Sequence, residues 1–436
     1  MTAMRIFQPG IQPGRTRLAA RLATWAGLAA VHLTVAVAGA VRARLTRHRS
    51  DAFARELRAL LIHLGPAFVK GGQLLSTRAD LVSPSWRAAL GRLHDRVDPM
   101  RPGERRRTLQ AAYPPGRWPF HELGDHAVGS GSVACVYRGT LHDGRDVAVK
   151  VRRPGIAERM HADLRLLTLG AGLGQRLPGL RRVPMRRMVD EVGAAVLGQL
   201  DLAAEAQALD LLRDNLAGLI RVPAPVAAAS GEGVLVMEHV AGLHRFTPDD
   251  FGREERRAVV RRILHGVYRM LFIDGLVHCD MHPGNLYLTR SGEPVLLDAG
   301  FVARLSPSVR RLFAEFFLNL STGRADACAD VVVRSAERVP PDCDREGFRR
   351  GIADLVRRNH GRPAGQFRLA PFAARLFDLQ RRSGIAAAPA FVFPLLSLLV
   401  LEGMINDFDV DVDFQAEAVP TLLQALRHRP PAPATP

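Results

Sequence analysis

Asp280, Asn285 and Asp298 fall within one short run, VHCDMHPGNLYLTRSGEPVLLDAGF. In it an HxDxxxxN segment is followed by two apolar stretches and then by Asp298, Ala299 and Gly300. The stretches flank RSGE, a turn signal, and are expected to pair as a hairpin. Such a hairpin carries Asn285 before its first strand and Asp298 after its second, so both side chains return to the same end. Two oxygen donors there suit a magnesium ion bound to nucleotide phosphates, because magnesium takes one or two ligands from protein and the rest from phosphate and water. Asp280 is then placed to orient an attacking hydroxyl or water.

Phosphoryl transfer asks a protein mainly to position groups and offset negative charge, so the remaining need is a lysine on a strand, held by a helix glutamate. Lys150, closing VAVK, and Glu205 fit those roles. The stretch GSGSV, residues Gly129, Ser130, Gly131, Ser132 and Val133, is expected to form a loop that approaches the nucleotide. Glu238 and Val240, in VLVMEHV, are expected to line it from a hinge-like strand. Read alone, each piece has another meaning: GSGSVA an ordinary turn, VAVK a common strand, HCDMH a metal-binding pair or a hydrogen-bonded core histidine. Their order along the chain, from Gly-bearing loop to strand Lys, helix Glu, hinge strand, HxDxxxxN and D-A-G, is the order of a bilobal kinase.

The elements that must position these residues can be read from periodicity. Residues 51–93 read as helices, with Leu57, Leu60, Leu61 and Leu64 at helical spacing, an interruption at Pro66 and a second piece carrying Lys70. The Arg-, Pro- and Gly-rich stretch from Pro99 through YPPGRW reads as a linker at a domain boundary. Alternating apolar runs around HDGR predict a hairpin ending at Lys150, preceded by the Gly-bearing loop. Residues 185–215 read as one long helix with Asp201 and Glu205 four apart on one face. The apolar stretch IAAAPAFVFPLLSLLVL is short for a spanning helix and is expected to be a buried one. The organisation expected is a segment 1–50, a helical extension 51–115, a β-rich lobe 116–240, a helical lobe 241–428 and a disordered tail 429–436.

Composition sets the outer limits. The 436 residues are 47% hydrophobic and 24% charged, the balance of a folded globular protein large enough for more than one core. Cys135, Cys279, Cys328 and Cys343 lack paired spacing, so neither a disulfide framework nor a cysteine zinc site is indicated. A formal charge of +17 favours polyanions such as a membrane surface. Without interleaved aromatics or a base-reading motif, nucleic acid is not an expected partner. Of the 60 basic residues, 58 are Arg, and the two Lys are Lys70 and Lys150. A compact ammonium fits where a guanidinium does not, which is one reason for lysine to persist at these positions. Residues 22–41 carry no formal charge and lie between Arg21 and a group comprising Arg42, Arg44, Arg47 and Arg49. They read either as a membrane-associated helix or as an amphipathic or buried helix packed on the body. A secretory signal also fits AVAGA but would separate an ATP-using enzyme from its substrate, so a cytoplasmic, membrane-associated protein is expected.

With these residues in hand, the chain resembles the UbiB/AarF/ADCK family of atypical kinases from about residue 51 to about 415. Besides VAVKVRRPGI, QLDLAAEA and HCDMHPGN, the resemblance rests on a KxGQ motif, here Lys70, Gly71, Gly72 and Gln73. It implies an α+β, bilobal protein kinase-like fold, with a small β-rich N-lobe, a helical C-lobe and an N-terminal helical KxGQ extension packed over the cleft. It further implies ATP or ADP and Mg2+ as ligands, and work at membranes in isoprenoid-quinone or other lipid metabolism beside lipid-biosynthesis enzymes. Two departures stand out. The family's Ala-rich loop is GSGS here, and the Glu of its ExD motif is Gln199, before Asp201, where a charged contact becomes at most a neutral hydrogen bond. Ala299 replaces the Phe of D-F-G without removing a metal ligand. A non-catalytic nucleotide sensor docked on membranes, and a small-molecule phosphotransferase, are the competing functions.

Overall fold

The structure is a computed structural model that describes residues 14–45, 52–77, 98–176, 185–245, 251–360 apart from Pro283, 369–387, 412–427 and single positions between 391 and 408. Two compact units divide the chain, the first comprising Met1–Ala204 with Pro225–His239 and the second Glu205–Ala224 with Val240–Pro436. Helices and antiparallel strands alternate in both, the mixed composition expected.

The first unit is built on a four-stranded antiparallel sheet of β1 (Phe120–Ser130), β2 (Ala134–Leu141), β3 (Asp146–Arg152) and β4 (Val234–Glu238), in that order. HDGR closes the β2–β3 hairpin as predicted, with Gly144 in the left-handed region at φ 85°. Successive side chains on a strand face opposite ways. Val147, Val149 and Val151 are therefore buried on one face, and Lys150 belongs to the other, paired in register with Val136 and Leu235. The valine face forms a core with Phe120, Tyr137 and Val236.

Part of that core comes from the stretch read as a linker. Residues Pro102–Ala112 form a helix, α4, and Leu109 and Met100 are buried in the sheet's core. Arg105 lies over the Tyr137 ring at 4.9 Å and donates to the Gly124 carbonyl at 2.6 Å, while Thr108 Oγ1 donates to the Arg152 carbonyl at 3.1 Å. The prolines misled because they sit at the helix's ends. Pro102 opens the first turn, where a missing N–H costs nothing, and Glu104 accepts from the Arg101 N–H at 3.0 Å. Between them ERRRTLQAA is made largely of good helix formers.

Helices α1 (Arg15–Leu45), α2 (Ala52–Leu64), α3 (Pro66–Thr77), α5 (Ile156–Gly174) and α6 (Met185–Gly198) complete this unit. Gly65, at φ 112°, and Pro66 make the break expected between α2 and α3. α1 packs on α2 and α5 through its polar side. Arg21 pairs with the fully buried Asp163, which also accepts from Trp25 Nε1 at 3.1 Å, and His32 Nδ1 meets Glu56 at 2.7 Å. Its other side exposes Leu22, Val31, Leu33, Val35, Val37 and Val41. Among the described residues α1 is the one helix long and apolar enough to cross a membrane.

The single helix read across 185–215 is two. α6 ends at Gly198 and α7 (Leu202–Asn215) begins after Asp201, whose carboxylate accepts from the Ala203 and Ala204 N–H groups at 3.1 and 2.9 Å. Glycine weakens the helix and aspartate caps the next one, so Asp201 is an N-cap and does not share a helical face with Glu205.

In the second unit β5 (His244–Arg245), β7 (Leu286–Leu288) and β8 (Pro294–Leu296) form one small sheet, and β6 (Leu276–His278) pairs with β9 (Val302–Arg304). Helices surround them: α8 (Arg253–Tyr268), α9 (Pro307–Ser321), α10 (Ala325–Ser335), α11 (Arg345–Asn359), α12 (Leu369–Arg382) and α13 (Phe414–Arg427). α13 is held on α8 by Glu417, which accepts from Arg261 at 2.7 Å, and by the Tyr268 hydroxyl, which donates to the Phe414 carbonyl at 2.8 Å. Most of the apolar stretch 385–401 lies outside the described residues, although Ser397, Leu398 and Leu401 are buried. Also outside them are Arg47, Arg49, the segment after the KxGQ motif and the tail 429–436.

Candidate functional site

The run from β6 to β9 closes on itself. His278 pairs with Val302, and the Cys279 N–H donates to the Phe301 carbonyl at 2.9 Å, so the chain leaves and re-enters at one point. Between these ends lie the loop 279–285 and the hairpin of β7 and β8, paired from Leu286↔Leu296 to Leu288↔Pro294, as RSGE predicted. Asn285 stands immediately before β7 and Asp298 just after β8. The Leu297 N–H donates to the Asn285 carbonyl at 3.0 Å, which brings both to the same end.

One imidazole organises the rest. The Asp280 N–H donates to His278 Nδ1 at 3.2 Å, which leaves the ring proton on Nε2, and Nε2 donates to the Asp298 carbonyl at 2.7 Å. Burial holds the His278 pKa below its ordinary value, which favours this neutral tautomer. Both ring nitrogens are thereby engaged by backbone, so His278 is a hydrogen-bonded core histidine and not half of a metal-binding pair. Asn285 Nδ2 donates to the Asp280 carbonyl at 3.0 Å, and Asp298 Oδ1 accepts from the Gly300 N–H at 2.8 Å. The Gly284 N–H fixes His282 through Nδ1 at 2.9 Å, and His282 Nε2 lies 3.7 Å from Asp280 Oδ2.

Glu205, also in the second unit and 2% exposed, comes close to this group at Gly300. A β-carbon at Gly300 would stand 3.2 Å from Asp298 Oδ1 and 3.4 Å from Glu205 Oε2. Glycine there lets the two carboxylates flank one point of the backbone. The donors are hard oxygens from one carboxylate and one amide. No cluster of three or more His, Cys, Asp or Glu able to hold a metal occurs among the described residues. That set fits magnesium, which is shared with phosphates and water, better than a metal that needs a closed protein cage.

In the first unit Lys150 is half-buried on the sheet face opposite the valine core. The Gly-bearing loop is shorter than predicted, because Gly129 and Ser130 belong to β1 and pair with Val136 and Cys135. The Gly131 N–H donates to the Ala134 carbonyl at 2.9 Å and is spent inside the turn. Ser132 and Val133 are the loop amides that this turn does not use. Neither Gly129 nor Gly131 adopts a positive φ. Glu238 ends β4 opposite Val147, and Val240, buried, belongs to the second unit. Gln199 lies in the turn between α6 and α7. Lys70 and Gln73 are on α3, with side chains outside the described residues.

Two contributors escaped the sequence. Ser397 Oγ donates to the His278 carbonyl at 2.6 Å across 119 residues, and nothing local marks that pairing. Arg153 binds the Gly-bearing loop from behind, and RRPG carries no signal for it.

The ABC1 atypical kinase-like domain matches residues 92–332. A curated relative from Edwardsiella ictaluri, bearing the name probable protein kinase UbiB, is 30% identical over 89% of this chain and 73% of its own length. A protein of the same name from Marinobacter nauticus is 32% identical over 86% and 70%. Among solved structures, Rv3197 of Mycobacterium tuberculosis, in complex with erythromycin, superposes with a TM-score of 0.54. It is 21% identical and covers 80% of this chain and 90% of that one, a likeness of fold.

Proposed function

Because the chain belongs to the ABC1 atypical kinase-like family of UbiB-type proteins, we propose that it binds ATP with magnesium and transfers or hydrolyses the terminal phosphoryl group. Supporting this reading above all is the hydrogen-bonded set in which His278 ties the backbone of Asp280 to that of Asp298 while Asn285 holds the Asp280 carbonyl. Magnesium, when bound, offsets charge on the phosphates. Asn285 and Asp298 hold it, and Asp280 orients the attacking hydroxyl or water by accepting its proton. Lys150 binds phosphate oxygens, and Glu205, whose carboxylate is buried next to Gly300, serves as the helix glutamate of this scheme. The amides of Ser132 and Val133 face the phosphates, and Glu238 and Val240 take the base. In this reading ADP competes for the same site.

The apolar side of α1, rimmed by Arg15, Arg17, Arg42 and Arg44, docks on an anionic lipid surface, where the protein supports isoprenoid-quinone or other lipid metabolism. A non-catalytic nucleotide sensor is the second reading, favoured by the Gly131 amide that its own turn consumes.

The test is nucleotide binding and phosphate release by the purified full chain, with and without anionic liposomes. Saturating ATP at about a hundred times its dissociation constant should stabilise the protein by about 2.7 kcal/mol. Binding without turnover would favour the sensor. A Lys150→Arg chain with full binding and turnover would contradict the role of Lys150, since a planar fork does not replace a point-like ammonium on phosphate oxygens.

A further inference from the structure

Arg153 follows β3 in the first unit, and its guanidinium has three acceptors on two segments that are remote in sequence. Nε donates to the Gly131 carbonyl at 3.0 Å, and one terminal nitrogen donates to Ser130 Oγ at 2.9 Å and to the Asp98 carbonyl at 2.7 Å. The Arg153 N–H donates to the Val133 carbonyl at 2.9 Å. Both ends of the Gly-bearing turn are therefore bound to one residue. The same side chain grips the chain at Asp98, two residues before Met100 enters the core of the sheet.

A guanidinium is rigid and planar, so its acceptors cannot shift independently without breaking a hydrogen bond. Neither glycine of the loop holds its conformation by a positive φ, and the turn's own bonds are the Gly131 N–H to the Ala134 carbonyl at 2.9 Å and the Ser130 Oγ–Cys135 Sγ contact at 3.4 Å. The clamp therefore fixes both ends of the turn, while the Val133 side chain is also buried in a core with Ala67, Ile156 and Met160.

We propose that Arg153 is a positioning residue that sets the nucleotide loop and couples it to the segment leaving the N-terminal extension. Movement of that segment at Asp98 shifts the loop, and ordering of the loop by nucleotide steadies residues 98–101. The inference rests on the nucleotide reading above and adds to it a route by which the extension acts on binding.

The experiment compares the full chain with its Arg153→Lys and Ser130→Ala variants. Affinity for ATP with magnesium is measured by calorimetry, and backbone hydrogen exchange with and without ATP. Arg153→Lys, whose ammonium cannot span three acceptors, should weaken ATP binding about tenfold. It should also abolish the ATP-induced protection of residues 98–101 that the unmodified chain shows. Ser130→Ala removes one acceptor of Arg153 together with the weak Cys135 contact and leaves the backbone strand pairing intact, so it should weaken binding two- to threefold, about the worth of one modest hydrogen bond. Unaltered ATP affinity in both variants would overturn the proposal, as would protection of 98–101 that persists in Arg153→Lys. If the unmodified chain binds no nucleotide, the functional reading fails first and this role falls with it. Normal binding by the unmodified chain with unmoved variants defeats the role of Arg153 alone.

Discussion

The run from Leu276 to Arg304 and the loop at Ser130 to Val133 both serve the proposed site, but they are held by different kinds of contact. In the first, the hydrogen bonds that fix Asp280, Asn285 and Asp298 span 2, 5 and 20 residues. In the second, the Arg153 bonds span 22, 23 and 55 residues, and α1 is fastened to Asp163 across 142. The bonds that set these three side chains lie within one short string, with Ser397 adding a single long-range bond to the His278 carbonyl. A loop clamped from a distance depends on everything between its anchors, and this makes it the natural place for regulation.

The largest effect should come from the longest span. Asp163→Ala strands Arg21 in a nearly buried position and should cost about 4 kcal/mol in denaturant unfolding, the penalty for a buried pair left half made. A loss under about 1 kcal/mol would mean that α1 is not anchored there and would weaken the contrast drawn above. Leu109→Ala should cost about 3 kcal/mol, because α4 fills the core of the sheet. A true linker would tolerate the change, so a melt unmoved by it would restore the sequence-based reading of residues 99–118.

His278 tests the locally wired region. His278→Phe leaves the Asp280 N–H and the Asp298 carbonyl without their partner and should cost about 2 kcal/mol at pH 8. Burial lowers the pKa of the native imidazole, so the unfolded chain binds the additional proton as pH falls through about 6.5. The contribution of His278 is therefore complete above that pH and lost below it. The unmodified chain should lose stability between pH 7 and 5, and His278→Phe should flatten that slope. An unchanged slope would show that the ring is not excluded from protonation. The smallest effect belongs to Asp201: replacement by Ala should cost about 1 kcal/mol and replacement by Asn almost nothing, as for a helix cap. If Asn proves as harmful as Ala, its charge matters and a regulatory ion pair is the better description.

The same division explains what could be read from residues alone. HxDxxxxN, RSGE and D-A-G announced the hairpin and the return of Asn285 and Asp298 to one end, because turn chemistry and strand alternation are local. VAVK announced a hairpin strand carrying Lys150 for the same reason. Pro102 and Gly103 were mistaken for loop residues because their meaning depends on the helix that starts beside them, and Leu109 shows its role only against the sheet. The break at Gly198 and Asp201 was written in the residues, yet the apolar period on either side hid it. The bond from Ser397 to His278 and the reach of Arg153 to Asp98 join positions that no spacing rule connects.

The central claim is that Asp298 holds magnesium against nucleotide phosphates. Its most direct test is magnesium-dependent ATP turnover by Asp298→Asn, a change that keeps the oxygen facing the Gly300 N–H while removing the charge. The account predicts a loss of at least about a hundredfold with an unaltered melting temperature, since a missing metal ligand should cost no less than a missing supporting contact. Turnover equal to that of the unmodified chain would contradict it.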